Sequence, residues 1–129
     1  MIIQVDSKQL AQAYEMLCEI EVGLKNLYAT HIIYSNNSQL NIHKFTYFQL
    51  IHNISDNSSV SSFFTQDQLN QLLHLRSIRN KVCHMRPITR MELSKIRSCH
   101  LIVKTISKDL NQRNQFHFET CKLQKHNRI

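Results

Sequence analysis

One glycine and one proline in 129 residues leave this chain few places to reverse direction tightly. Glycine supplies the positive φ that short hairpin turns require, and proline presets the first corner of a turn. A sandwich or barrel with many reversals is therefore disfavoured, whereas long helices need neither residue. An all-α fold is the expectation. With 42% hydrophobic residues and a mass of 15.3 kDa, the chain can bury one modest core.

The apolar residues fall on helical spacings. Over about residues 7–34, Leu10, Tyr14, Leu17, Leu24, Leu27 and Tyr28 recur three and four apart, which predicts an amphipathic helix that Ser7 can cap. Glu21 lies on this stripe, so its carboxylate needs a partner. Ser35-Asn36-Asn37-Ser38 ends the helix, a short second helix is expected over about 45–53, and the Ser-rich stretch 55–62 reads as a loop. Thr65-x-x-Gln68 has the form of a capping box and opens a third helix that runs to about Met85, where Arg86-Pro87 stops it. Thr89-x-x-Glu92 is a second capping box, followed by a seam of Ile96, Cys99, Val103, Ile106 and Leu110. These elements predict an antiparallel bundle of four to five helices over 1–112, then a polar, basic tail over 113–129.

A formal charge of +7 points to an anionic partner, and nucleic acid is the commonest anionic polymer a basic domain meets. The opening residues lack a basic start followed by an apolar run, so no signal peptide is expected, and no apolar stretch is long enough for a membrane segment. The expected setting is the cytosol, with Cys18, Cys83, Cys99 and Cys121 reduced. The Asn-x-Ser sites at Asn36, Asn53 and Asn57 are then without consequence.

On the third helix Leu75, Ile78, Val82 and Met85 make one apolar side. At 3.6 residues per turn, Asn80 and His84 lie only ~40° apart, and Arg76, Arg79, Asn80, Cys83 and His84 share an arc of roughly 140°. Two guanidiniums, an amide and an imidazole thus face one way, and Glu21 on the first helix can face them. Cys83-His84 and Cys99-His100 carry soft ligands, but adjacent helical side chains diverge by about 100° and cannot both reach one ion. No metal or cofactor is expected; Cys83 and Cys99 read as small packing residues.

Arg79-Asn80-Lys81-Val82-Cys83-His84 resembles the R-x(4–6)-H signature of the HEPN superfamily, in which Asn commonly follows the Arg. Glu21-x-x-Leu24-Lys25-x-Leu27 is similar to that superfamily's first-helix pattern, and Arg86-Pro87-Ile88-Thr89 to the turn after its motif. The resemblance implies a bundle that dimerises and brings two motifs together. In many members it also implies a metal-independent endoribonuclease of toxin–antitoxin, phage-defence or CRISPR systems, with an antitoxin or defence protein as partner. In a branch that works with a nucleotidyltransferase, a Tyr stands two places after the motif His; Arg86 stands there in this chain.

These residue types suit RNA cleavage. The 2′-hydroxyl attacks its own phosphate once a base takes its proton and an acid protects the leaving oxygen, and histidine titrates in the right range for both tasks. The expected roles are proton transfer for His84, stabilisation of phosphoryl charge for Arg79, orientation for Asn80, support for Glu21 and a phosphate contact for Arg76. One imidazole per chain makes a two-fold dimer the natural complete site. The competing expectations are a non-catalytic HEPN-like module that binds RNA or nucleotide, and a helical adaptor in which Glu21 and Arg79 only fix the packing.

Overall fold

A computed structural model describes the backbone of residues 3–33 and 42–126 and the side chains of 3–31, 42 and 44–110. The described chain is all-helical: α1 (Ser7–Ile33), α2 (Tyr47–Asp56), α3 (Ser58–Ser61), α4 (Gln66–Cys83) and α5 (Arg90–His126), with a 3₁₀ turn at Ile42–Lys44 before α2. Its only extended pairing is an isolated bridge between Gln4 and Thr89.

Each long helix starts with the same chemistry, a side-chain oxygen accepting from the N–H three residues on while that residue's side chain accepts from the cap's own N–H. The boxes expected at Thr65/Gln68 and Thr89/Glu92 are both present. Two more were not anticipated. Asp6, rather than Ser7, caps α1 by exchanging hydrogen bonds with Gln9, and Thr46 caps α2 with Gln49, so α2 begins at Tyr47. The stretch 55–62 is not a plain loop. Helix α2 runs through Asp56, then the Asn57 side chain accepts from the N–H groups of Ser59 and Val60 and starts α3, which buries Val60 completely.

Helices α1 and α5 start at one end of the molecule, where Val5 donates to Ile88 and Arg90 to Ile3, each at 3.0 Å. From there they run parallel, as Glu19 meets His100 and Gly23 meets Val103 further along both. Helix α4 runs against both: Glu21 meets Arg79, and Glu92 meets Lys81. The antiparallel arrangement expected from the sequence therefore holds for α4 but not for α1 against α5. The single glycine explains how α1 and α5 come so close. A Cβ on Gly23 would lie 2.6 Å from Val103 Cγ1, so any other residue would force Val103 or its helix to shift.

The core lies between these three helices and is closed by α2 and α3. Ile20, Leu24, Leu50, Leu72, Leu75 and Ile96 are essentially inaccessible to solvent. Each contributes roughly 1.5–3 kcal/mol of burial energy, set against the entropy of ordering the chain. Among the described residues no polar or charged side chain is buried. Two residues on the expected apolar stripes stand outside it: Tyr14 is 54% exposed and Met85 78%. The expected boundary at 112 falls inside α5, whose backbone continues to His126. The Ser35-Asn36-Asn37-Ser38 helix end lies outside the described residues, as do the side chains of the basic tail.

Helix α4 ends in a way the sequence did not announce. The Met85 N–H donates to Val82 and the Arg86 N–H to Lys81, at 3.0 and 2.8 Å, which is a Schellman closure with His84 as C-cap. The residue that must turn left-handed is Met85, at φ 57°, where glycine is the usual occupant. Since the Met85 side chain packs against almost nothing, Met85→Gly should stabilise the fold by about 1 kcal/mol. Thermal unfolding should show a rise of a few degrees; an unchanged or lower midpoint would mean that the methionine side chain compensates for its backbone.

Candidate functional site

Arg79 projects from α4 toward α1, where its Nε donates to the Glu21 carboxylate. Both side chains are largely withdrawn from water, at 28% and 21% exposure. The guanidinium also lies 5.9 Å from the centroid of the Tyr47 ring. Tyr47 is itself buried and donates its hydroxyl to the Leu72 carbonyl at 2.5 Å, which pins the start of α2 against the middle of α4. Burial alone would lower the Arg79 pKa, and the Glu21 carboxylate more than reverses this. Burial pushes the Tyr47 hydroxyl far above its ordinary value, so it stays a neutral donor. The acid on the first-helix stripe thus has the partner its position required. The guanidinium's two terminal nitrogens make no hydrogen bond among the described residues.

Asn80 and His84 are exposed on the next face of α4. They are coupled through the backbone, the His84 N–H donating to the Asn80 carbonyl at 3.1 Å. His84 is not inside the helix, as the arc reading had it, but at its C-cap, immediately before the left-handed Met85. The six-residue motif is therefore split: Arg79 is half-buried and already paired, whereas Asn80 and His84 face solvent.

Arg76 lies apart from both. Its guanidinium sits over the Phe48 ring at 4.3 Å, and that ring meets His52 edge-on at 4.3 Å between centroids. Successive aromatics of α2 thus receive successive arginines of α4, Tyr47 under Arg79 and Phe48 under Arg76. Sequence reading missed this pairing. The signal available was an aromatic pair opening one helix and an Arg-x-x-Arg on another, which nothing local connects.

The turn after the motif is anchored twice. The Ile3–Val5 segment pairs with it, and Lys81 donates to Glu92 at 2.8 Å. Burial by itself would raise the Glu92 pKa, but the Lys81 ammonium and the N–H and hydroxyl of Thr89 outweigh it and hold the carboxyl below its ordinary 4.5. A folded pKa below the unfolded one stabilises the fold above about pH 4.5, and that contribution is lost as the pH falls through the lowered folded value. Urea unfolding at stepped pH should show native protein weakening in this acid window and Glu92→Gln changing less across it. Parallel profiles for the two proteins would show that the pair does not act on stability.

The other candidates are dispersed. Cys99 is buried and its thiol is pushed up to about 11 by burial, as a packing residue should be, but Cys83 is exposed and is not one. Cys18 and then Cys83 raise the pKa of Tyr14, which lies beside both. His100 donates from Nε2 to Glu19. Among the described residues no three His, Cys, Asp or Glu side chains converge as a metal site would require. No helix among them is long and apolar enough to cross a membrane. Compared with family models, curated proteins and solved structures, the chain gives no significant match.

Proposed function

We propose that the chain is a metal-independent endoribonuclease of the HEPN type, acting as a two-fold dimer in a toxin–antitoxin or phage-defence setting. The observation that carries this reading is an exposed imidazole, His84, at the end of the helix that also bears a guanidinium whose Nε is already fixed by Glu21. A guanidinium held in this way keeps its two terminal amino groups for a phosphate, and a preorganised donor pair stabilises the charge that gathers on phosphoryl oxygens in the transition state. Imidazole near neutrality takes the 2′-hydroxyl proton or returns one to the departing 5′-oxygen. Asn80, joined to His84 through the backbone, orients the imidazole or the phosphate.

One imidazole performs one proton transfer at a time, so the second comes from a symmetry-related His84. Exposed Met85, Met91 and Ile3 surround the same end of the molecule and offer the apolar surface that a two-fold contact at the motif would bury.

One observation favours a second reading, in which the domain binds RNA or nucleotide, or serves as an adaptor, without cutting. Arg79 is already neutralised by Glu21, as a purely structural ion pair would be. Incubating RNA with purified protein in excess chelator separates the two. Cutting supports the nuclease; intact RNA that is nonetheless bound supports the binding module.

A further inference from the structure

On the nuclease reading Arg79 holds a phosphate, which leaves the base without a surface, and the Phe48 ring one arginine–aromatic step away offers one. Phe48 is 36% exposed, beyond what a core phenylalanine shows, and it meets both a guanidinium and an imidazole. Arg76 is exposed and has no carboxylate partner among the described residues, in contrast to Arg79 three residues on. Of the two aromatic–arginine steps, the inner one is closed by Glu21 and buried; the outer one is open.

On α4, which carries the outer step, stand Arg76, Arg79 and Lys81, and of these Arg76 alone has no acidic partner among the described residues. Unpaired bases stack on aromatic rings and on arginine planes, with basic groups following the backbone, and base-paired strands cannot offer their faces in this way.

We infer that Arg76, Phe48 and His52 form a subsite that stacks an unpaired nucleobase of single-stranded RNA, one arginine–aromatic step from Arg79. This deepens the ribonuclease reading and takes the identity of the polymer from it. The subsite sets the substrate class: single strands and loops rather than duplex. Phe48 supplies the ring, Arg76, held over one face of it, adds charge, and His52 packs against the ring at a steep angle.

The test is binding of a short 2′-O-methyl oligonucleotide, which keeps bases and phosphates but has no nucleophile, measured by fluorescence anisotropy with the full native chain. Phe48→Ala should weaken the single strand about tenfold, leave its salt dependence unchanged because no charge is removed, and leave a duplex of equal length within about twofold. Phe48→Tyr should bind as the native chain does, and circular dichroism of each variant reports on its fold. No binding by the native chain, equal weakening of single strand and duplex, or an effect of Phe48→Ala no larger than that of Lys95→Ala, would each overturn the inference. Its failure is distinguishable from that of the nuclease reading. Unmodified RNA cut normally by Phe48→Ala removes the subsite alone, whereas a native chain that cuts nothing but loses the probe on Phe48→Ala keeps the subsite and removes the chemistry.

Discussion

His84→Ala should lower the rate of RNA cleavage by about 10²–10⁴-fold, the usual contribution of a positioned acid–base group. The fold should not change, because His84 is exposed at a helix cap and its backbone N–H, which the substitution keeps, makes the structural bond to Asn80. Circular dichroism and thermal unfolding should therefore superimpose on those of the native protein. Mixed dimers sharpen the expectation. If base and acid come from opposite subunits, a native subunit paired with His84→Ala loses most of its activity, and adding excess variant to native protein should depress turnover. A variant that cuts at the native rate would remove His84 from the mechanism, and a mixture that simply averages the two activities would mean that each chain works alone.

Arg79→Ala should cost about 10²–10³-fold in cleavage through lost charge stabilisation, and unlike His84→Ala it should also cost stability. It leaves the Glu21 carboxylate facing Tyr47 without a partner. For a fully buried pair that penalty is 3–5 kcal/mol; with both side chains about a quarter exposed we expect roughly 1–2 kcal/mol. Arg79→Lys should recover part of the stability but little of the cleavage, because an ammonium cannot bond Glu21 and present a fork to phosphate together. Glu21→Gln should keep most of the cleavage, since Glu21 positions the guanidinium and does not meet the substrate. Denaturant unfolding and single-turnover cleavage on the same four proteins separate these effects. Cleavage by Arg79→Ala at the native rate, with only stability lost, would assign the pair to packing.

What could be read from the sequence was local or one-sided. The Thr65 and Thr89 boxes were legible because cap and partner lie three residues apart; Asp6 and Thr46 use the same spacing, but each has a neighbour, Ser7 or Phe45, that fits a helix start as well. Glu21 was legible because a carboxylate on an apolar stripe demands a cation, and Arg79 answered it. Periodicity does not say where a stripe ends, which is why Tyr14 and Met85 face water. Composition misled at 55–62, since one buried valine and one asparagine cap suffice to make a helical turn from serines. The parallel run of α1 beside α5 depends on how short α2 and α3 are, and the Phe48–Arg76 contact on how Tyr47 is tied to Leu72. Both are decided across the fold and leave no trace in any one segment.

If the RNA's own 2′-hydroxyl is the nucleophile, assisted by protein side chains alone, the ends that cleavage leaves will carry its signature. Single-stranded RNA incubated with the native chain in excess chelator should yield 2′,3′-cyclic phosphate and 5′-hydroxyl termini, with DNA of the same sequence left whole for want of the nucleophile. Products bearing 3′-hydroxyl and 5′-phosphate termini would rule this mechanism out, because water rather than the 2′-hydroxyl would then have attacked.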